Sequence, residues 1–177
     1  NNLLFSAIAN PIPTNYTLSF NLSGGSAPAS DPDAFNDMTA SEVAAQHTFT
    51  IPTTMPELAG HTFSYWSDTA GNHYNPGDTI TVIGNEEYIG AETLTANWDL
   101  ATYTITIANS NTTTTDTSDV AITDFTIAYG GSTDIKVTPS SGYYLSNVSC
   151  PTGYNCTGYN TGTDVTTTQT VTITNDD

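Results

Sequence analysis

Between Gly60 and Asp78 the chain alternates and then breaks. Phe63 and Tyr65 fall on one side of a two-residue period, with Ser64 and Trp66 on the other. A run of glycine, asparagine and proline follows, so the segment reads as strand and then turn. The same period recurs upstream, where Tyr16, Leu18, Phe20 and Leu22 alternate with Thr17, Ser19 and Asn21 and stop at Ser23-Gly24-Gly25-Ser26. Thr79-Ile80-Thr81-Val82 and Thr93-Leu94-Thr95-Ala96-Asn97-Trp98 repeat it downstream. A chain patterned this way is committed to β-structure.

The 177 residues suffice for one large domain or two small ones. Only 37% of them are hydrophobic, but 10% are aromatic and ten are tyrosine, which argues for a folded chain over a disordered one. Charge excludes more. Eighteen acids face a single cation, Lys136, for a formal net charge of −17. Nucleic acids and anionic membrane surfaces are recognised through lysine and arginine, so neither is an expected partner. An acidic surface gives solubility and self-repulsion, and scarce Lys and Arg deny trypsin-like proteases their cleavage sites, as suits an extracellular coat. No stretch approaches the twenty apolar residues of a membrane-spanning helix. The sequence opens without methionine, as expected of a chain whose secretion signal has been removed, and no sortase-type anchor follows Asp177.

Taken together, Tyr16 to Phe20, Gly60 to Trp66, the turn through Asp78, Thr79 to Val82 and Thr93 to Trp98 resemble the Listeria-Bacteroides repeat, the B-repeat of internalin-like surface proteins. The resemblance covers residues 14–99 and implies a small extracellular β-grasp-like module without an active site. After Asp99-Leu100-Ala101-Thr102, read as a linker of four residues, a second pass begins. Tyr103 to Ile107 echoes Tyr16 to Phe20, Gly142 to Val148 echoes Gly60 to Trp66, and Thr170 to Asn175 echoes Thr93 to Trp98. Residues 100–177 resemble a divergent B-repeat through the Gly-Tyr-Tyr-Leu segment ahead of a cysteine pair. The expected fold is mostly β: two tandem β-grasp-like or β-sandwich-like modules behind an N-terminal extended arm.

One short helix is expected, over Met38 to Gln46, capped by Asp37 or Thr39 and offering Val43, Ala44 and Ala45 as a small apolar face. The second module has Asn109-Ser110-Asn111 and the run Thr112 to Thr115 at that place, with no apolar face, and there only strands and loop are expected. Val120 to Ile122 and Phe125 to Ile127 are its strand candidates, and Ile135 and Val137 face opposite to Asp134 and Lys136.

Chemistry-bearing residues are present without a constellation. No Gly-x-Ser-x-Gly elbow surrounds a serine near His47, His61 or His73, and Glu86-Glu87 point to opposite faces if extended. Asp31, Asp33 and Asp37 lack the spacing and closing glutamate of a calcium loop. No catalytic residue, metal ligand or cofactor is therefore assigned. Lys136 would form an isopeptide cross-link only if buried, and its alternation places it outward. Sequons at Asn15, Asn21, Asn111, Asn147 and Asn155 are as many as the Asn, Ser and Thr content yields by chance. Cys150 and Cys156 enclose five residues, including Pro151 and Gly153, and are expected to form a disulfide in an oxidising compartment.

Residues 1–13 form an arm in which Leu3, Leu4, Phe5 and Ile8 are apolar and Pro11-Ile12-Pro13 stiffens the exit. It either pairs with its own module as an edge strand or inserts into a neighbouring subunit. Burying those four side chains is worth about 1.5–3 kcal/mol each before ordering costs. The expected function is that of a secreted structural subunit of a pilus-like surface filament, its partners being copies of itself joined head to tail by the arm. A competing expectation is an adhesin or stalk module whose tyrosines and loop acids contact host protein or glycan.

Overall fold

The computed structural model describes residues 11–175, and among these every regular element is a strand. The chain divides into two compact units, Asn1–Asp99 and Leu100–Asp177. Unit 1 begins with β1 (Thr14–Asn21), β2 (Met38–Glu42), β3 (Gln46–Thr50) and β4 (His61–Ser67). It continues with β5 (His73–Tyr74), β6 (Thr79–Ile83) and β7 (Ile89–Leu100). One sheet runs β2-β1-β7-β4-β5, with β1 and β7 parallel and Tyr16 opposite Gly90; β3 and β6 make a second, antiparallel pair. Tyr16, Leu18, Trp66, Leu94 and Ala96 of the first sheet pack against Phe49, Ile80 and Val82 of the pair, with Ile51 just beyond β3. Each inward set has the two-residue spacing visible in the sequence.

The expected helix over Met38 to Gln46 is instead β2, antiparallel to β1 with Met38 opposite Leu18 and Ala40 opposite Tyr16. Met38 and Ala40 pack on the core while Thr39 and Ser41 face solvent, a period of two that a helix would scramble. The apolar face proposed for that helix is outside the core: Val43 is exposed, and Ala44 contributes its carbonyl to the Tyr16 hydroxyl. Without a helix to lie across the sheet, the β-grasp layer is replaced here by β3 and β6. The expected linker is also shorter, because β7 runs through Leu100 and the next strand begins at Thr102.

Two glycines fix how Tyr16 sits. A Cβ on Gly90 would lie 2.5 Å from the Tyr16 Cδ1, and one on Gly84 would lie 2.7 Å from Thr14 Cγ2 and 3.2 Å from the Tyr16 hydroxyl. Trp66 is fully buried beneath Phe20, Phe35 and Phe63, whose ring centroids stand 5.1 to 5.3 Å away. Its indole Nε1 has no hydrogen-bond partner among the described residues. Trp98 donates to the Leu22 carbonyl and presses on Gly25, where no larger residue fits.

Unit 2 holds β8 (Thr102–Thr106), β9 (Thr112–Thr115), β10 (Asp124–Ala128), β11 (Ser132–Pro139), β12 (Tyr154–Thr157) and β13 (Gln169–Asn175). Four of them form a sheet, β12-β13-β11-β9, whose inward residues Ile135, Val137, Val171 and Ile173 make the core with Leu145. Among the described residues the remaining two, β8 and β10, pair only with each other. The threonine run, in a region expected to hold only strands and loop, is β9. Threonine is β-branched and suits a pleated surface, and Thr114 is buried with its hydroxyl on the Asn109 side-chain oxygen at 2.8 Å. Val120 to Ile122 forms only an isolated bridge, Ala121 to Thr115, while Phe125 to Ile127 lies within β10. The echo of Gly60 to Trp66 in Gly142 to Val148 does not extend to structure, for the latter segment joins no ladder.

Candidate functional site

Strand β8 has one satisfied edge. Ile107 N–H donates to the Thr123 carbonyl and Tyr129 N–H to the Ala101 carbonyl, so the odd-numbered backbone groups from 101 to 107 turn toward β10. Backbone direction alternates along an antiparallel strand, which turns the N–H and C=O groups of Thr102, Thr104 and Thr106 to the opposite side. No other strand of the described residues lies there.

An open cleft of about 670 Å³ lies alongside. One wall is the end of β8 and its continuation through Thr112; the other is the irregular segment Tyr143–Pro151. From β10 only Phe125 reaches it. Ile135, Val137, Val171 and Ile173 supply the floor, each at most 8% exposed, so the lining is core-like while the cleft itself is open. Tyr143 and Tyr144 stand half exposed at the rim. The second wall is anchored by Leu145 N–H on the Val165 carbonyl at 2.9 Å and by the disulfide from Cys150 to Cys156, whose Cα atoms are 5.9 Å apart. Cys156 belongs to β12 and pairs with Ile173 of β13, so the bridge ties an unladdered wall to the main sheet.

None of the described residues lining this cleft is charged, although the chain carries eighteen acids. The walls come from two stretches without a charged residue, 100–115 and 137–163. That gap between acids is the sequence signal that marks the cleft, and alternation alone does not reveal it.

The residues singled out for chemistry stay apart. Trp66 pairs with Tyr74 and Ser67 with His73, so His61 lies six residues back along β4, about 20 Å from His73 at strand rise. His61 Nδ1 meets its own loop at the Ala59 carbonyl, and His73 stacks on Tyr65 at 3.9 Å. His47 contacts Glu42. Asp31 accepts from the Thr54 hydroxyl and Asp33 from the Asn36 amide, and among the described residues no three His, Cys, Asp or Glu side chains are grouped to hold a metal. Glu86 and Glu87 are exposed in the turn before β7. Lys136 Nζ reaches Asp119 at 2.7 Å and the Thr117 carbonyl at 3.0 Å on the outer face of β11. All five sequon asparagines are exposed.

The most organised polar site is the β4–β5 turn. Asp68 accepts from the backbone N–H groups of Ala70 and Asn72, the Asn72 amide and the Tyr74 hydroxyl. Those donors, led by the Asn72 side chain, hold its carboxyl below the ordinary value of 3.8. Burial, aided by the neighbouring Asp68 charge, raises Tyr74 above 10.0. This is a turn clamp: each donor satisfies the carboxylate from within one hairpin.

The arm residues Leu3, Leu4, Phe5 and Ile8 lie outside the described residues. Comparison with known proteins finds no matching family model, no similar curated protein and no similar solved structure.

Proposed function

We propose that this chain is a structural subunit of an extracellular surface assembly, in which the arm bearing Leu3, Leu4, Phe5 and Ile8 adds as a strand to the next copy. The observation that carries this reading is the edge of β8 that no strand of the described residues pairs, beside a cleft with an apolar floor and no charge among its described lining residues. Strand addition requires both features: ladder groups for affinity and a groove for alternate side chains. The disulfide favours an oxidising compartment. The resemblance of residues 14–99 to surface B-repeats favours a chain built as a rod of modules, and a head-to-tail contact between such rods propagates instead of closing.

A second reading, a stalk or adhesin module binding host glycan or protein, is favoured by Tyr143 and Tyr144 at the cleft rim. Light scattering and negative-stain microscopy of the full chain separate the two. Concentration-dependent linear polymers that vanish in a Leu3→Asp/Phe5→Asp variant support the subunit reading. Monomers for both chains at every concentration overturn it and leave the binding module.

A further inference from the structure

We infer that the unit-2 cleft receives the Leu3 to Ala9 segment of a second copy, with Leu3, Phe5, Ala7 and Ala9 turned onto the floor and Leu4, Ser6, Ile8 and Asn10 turned away. This inference rests on the strand-addition reading and adds the acceptor, the face and the edge.

Three observations select this occupant. The first is charge. In a molecule of net charge −17, the described cleft lining has no charged side chain, and neither do residues 1–10. A segment bearing carboxylates would be desolvated in the cleft at high cost, and residues 1–10 carry none. The second is pattern. As a strand, Asn1 to Asn10 separates into one face that is apolar at positions 3, 5, 7 and 9 and another interrupted by Ser6 and Asn10. Only the first matches a continuous floor of isoleucine and valine. The third is backbone. The backbone groups of Thr102, Thr104 and Thr106 turn away from β10, no strand of the described residues pairs with them, and Thr106 at the end of that edge lines the cleft.

In this arrangement Phe5 is the anchor, since it carries the largest apolar surface of the four inward residues. The inserted strand then takes the place next to β8 that no strand of the described residues occupies.

The test uses a fluorescently labelled synthetic peptide, residues 1–10, titrated into the full chain carrying Leu3→Asp/Phe5→Asp, so that the chain's own arm is disabled. Saturable binding by anisotropy is expected. A Phe5→Asp peptide should bind at least tenfold more weakly, whereas an Ile8→Asp peptide should stay within threefold. Two acceptor changes then locate the site. Thr106→Pro removes a backbone donor from the free edge, and Ala108→Trp places bulk at an exposed position of the cleft wall. Each should weaken the peptide at least tenfold while far-UV circular dichroism stays unchanged.

Peptide binding that survives both changes overturns the cleft as acceptor but leaves strand donation standing. Equal losses for the Phe5→Asp and Ile8→Asp peptides overturn the assigned face. A native-arm chain that stays monomeric and refuses peptide, beside a disabled-arm chain that binds it, overturns the second copy as donor, because the arm then fills its own cleft. No peptide binding together with no polymer overturns the subunit reading itself.

Discussion

Gly90 stands where a single added methyl group would strike the Tyr16 ring, at 2.5 Å from Cδ1. Overpacking of this kind costs about 1–3 kcal/mol, and Gly90→Ala should lower the stability of unit 1 by that amount. Both tryptophans, Trp66 and Trp98, lie in unit 1, so urea unfolding followed by tryptophan fluorescence reports that unit alone. Asp68 sets an acid limb. Its folded pKa is below 3.8, so its contribution is complete above that value and disappears as pH falls through the folded pKa. Asp68→Asn should therefore flatten part of the stability loss below about pH 4, a window fixed by the ordinary carboxylate range. For Tyr74 the sign reverses: its folded pKa exceeds 10.0, so its contribution is present below pH 10 and is lost as pH rises through the folded value. Tyr74→Phe should remove that alkaline limb, read by the same fluorescence. A difference of zero between variant and parent at both ends of the pH range would show that the turn clamp contributes nothing.

Strands in unit 1 were legible wherever one face was apolar, as in β1, β6 and β7, because burial of one face fixes the register at two residues. Met38 to Glu42 misleads because alanine, glutamate and a cap-like Asp37 satisfy helix propensity, while pairing with β1 supplies what propensity omits. The Thr112 to Thr115 run is not singled out among the strand candidates because a threonine strand has no hydrophobic signature, and only its ladder to β11 reveals it. Cys150 and Cys156 were legible as a pair, but not their task. The disulfide fastens the cleft wall to β12, and it closes a loop of seven residues counting both cysteines. Loop-closure entropy puts that bridge at about 2 kcal/mol. A Cys150→Ser/Cys156→Ser chain should lose about this much stability in unit 2, followed by tyrosine fluorescence or far-UV circular dichroism, with the tryptophan transition of unit 1 unmoved. It should also hold the arm peptide more weakly, since one wall of the cleft is then untethered.

At the scale of the whole molecule, two copies of a chain of net charge −17 repel one another, and screening relieves the repulsion that the proposed assembly has to overcome. The Debye length falls from about 30 Å at 0.01 M salt to about 8 Å at 0.15 M, so polymer mass measured by light scattering should rise across that range. A flat response would place the subunit contacts beyond the reach of the acidic surface. The free edge of β8 has a less welcome corollary. Among the described residues the outward groups of Thr102, Thr104 and Thr106 have no strand partner and suit an extended backbone, and β8 has none of the lysines or prolines that commonly blunt such edges. What keeps strangers off is the electric coat. Near the isoelectric point of about 4.1 that coat is gone, and solutions of this protein should turn cloudy there with disordered clumps in place of threads.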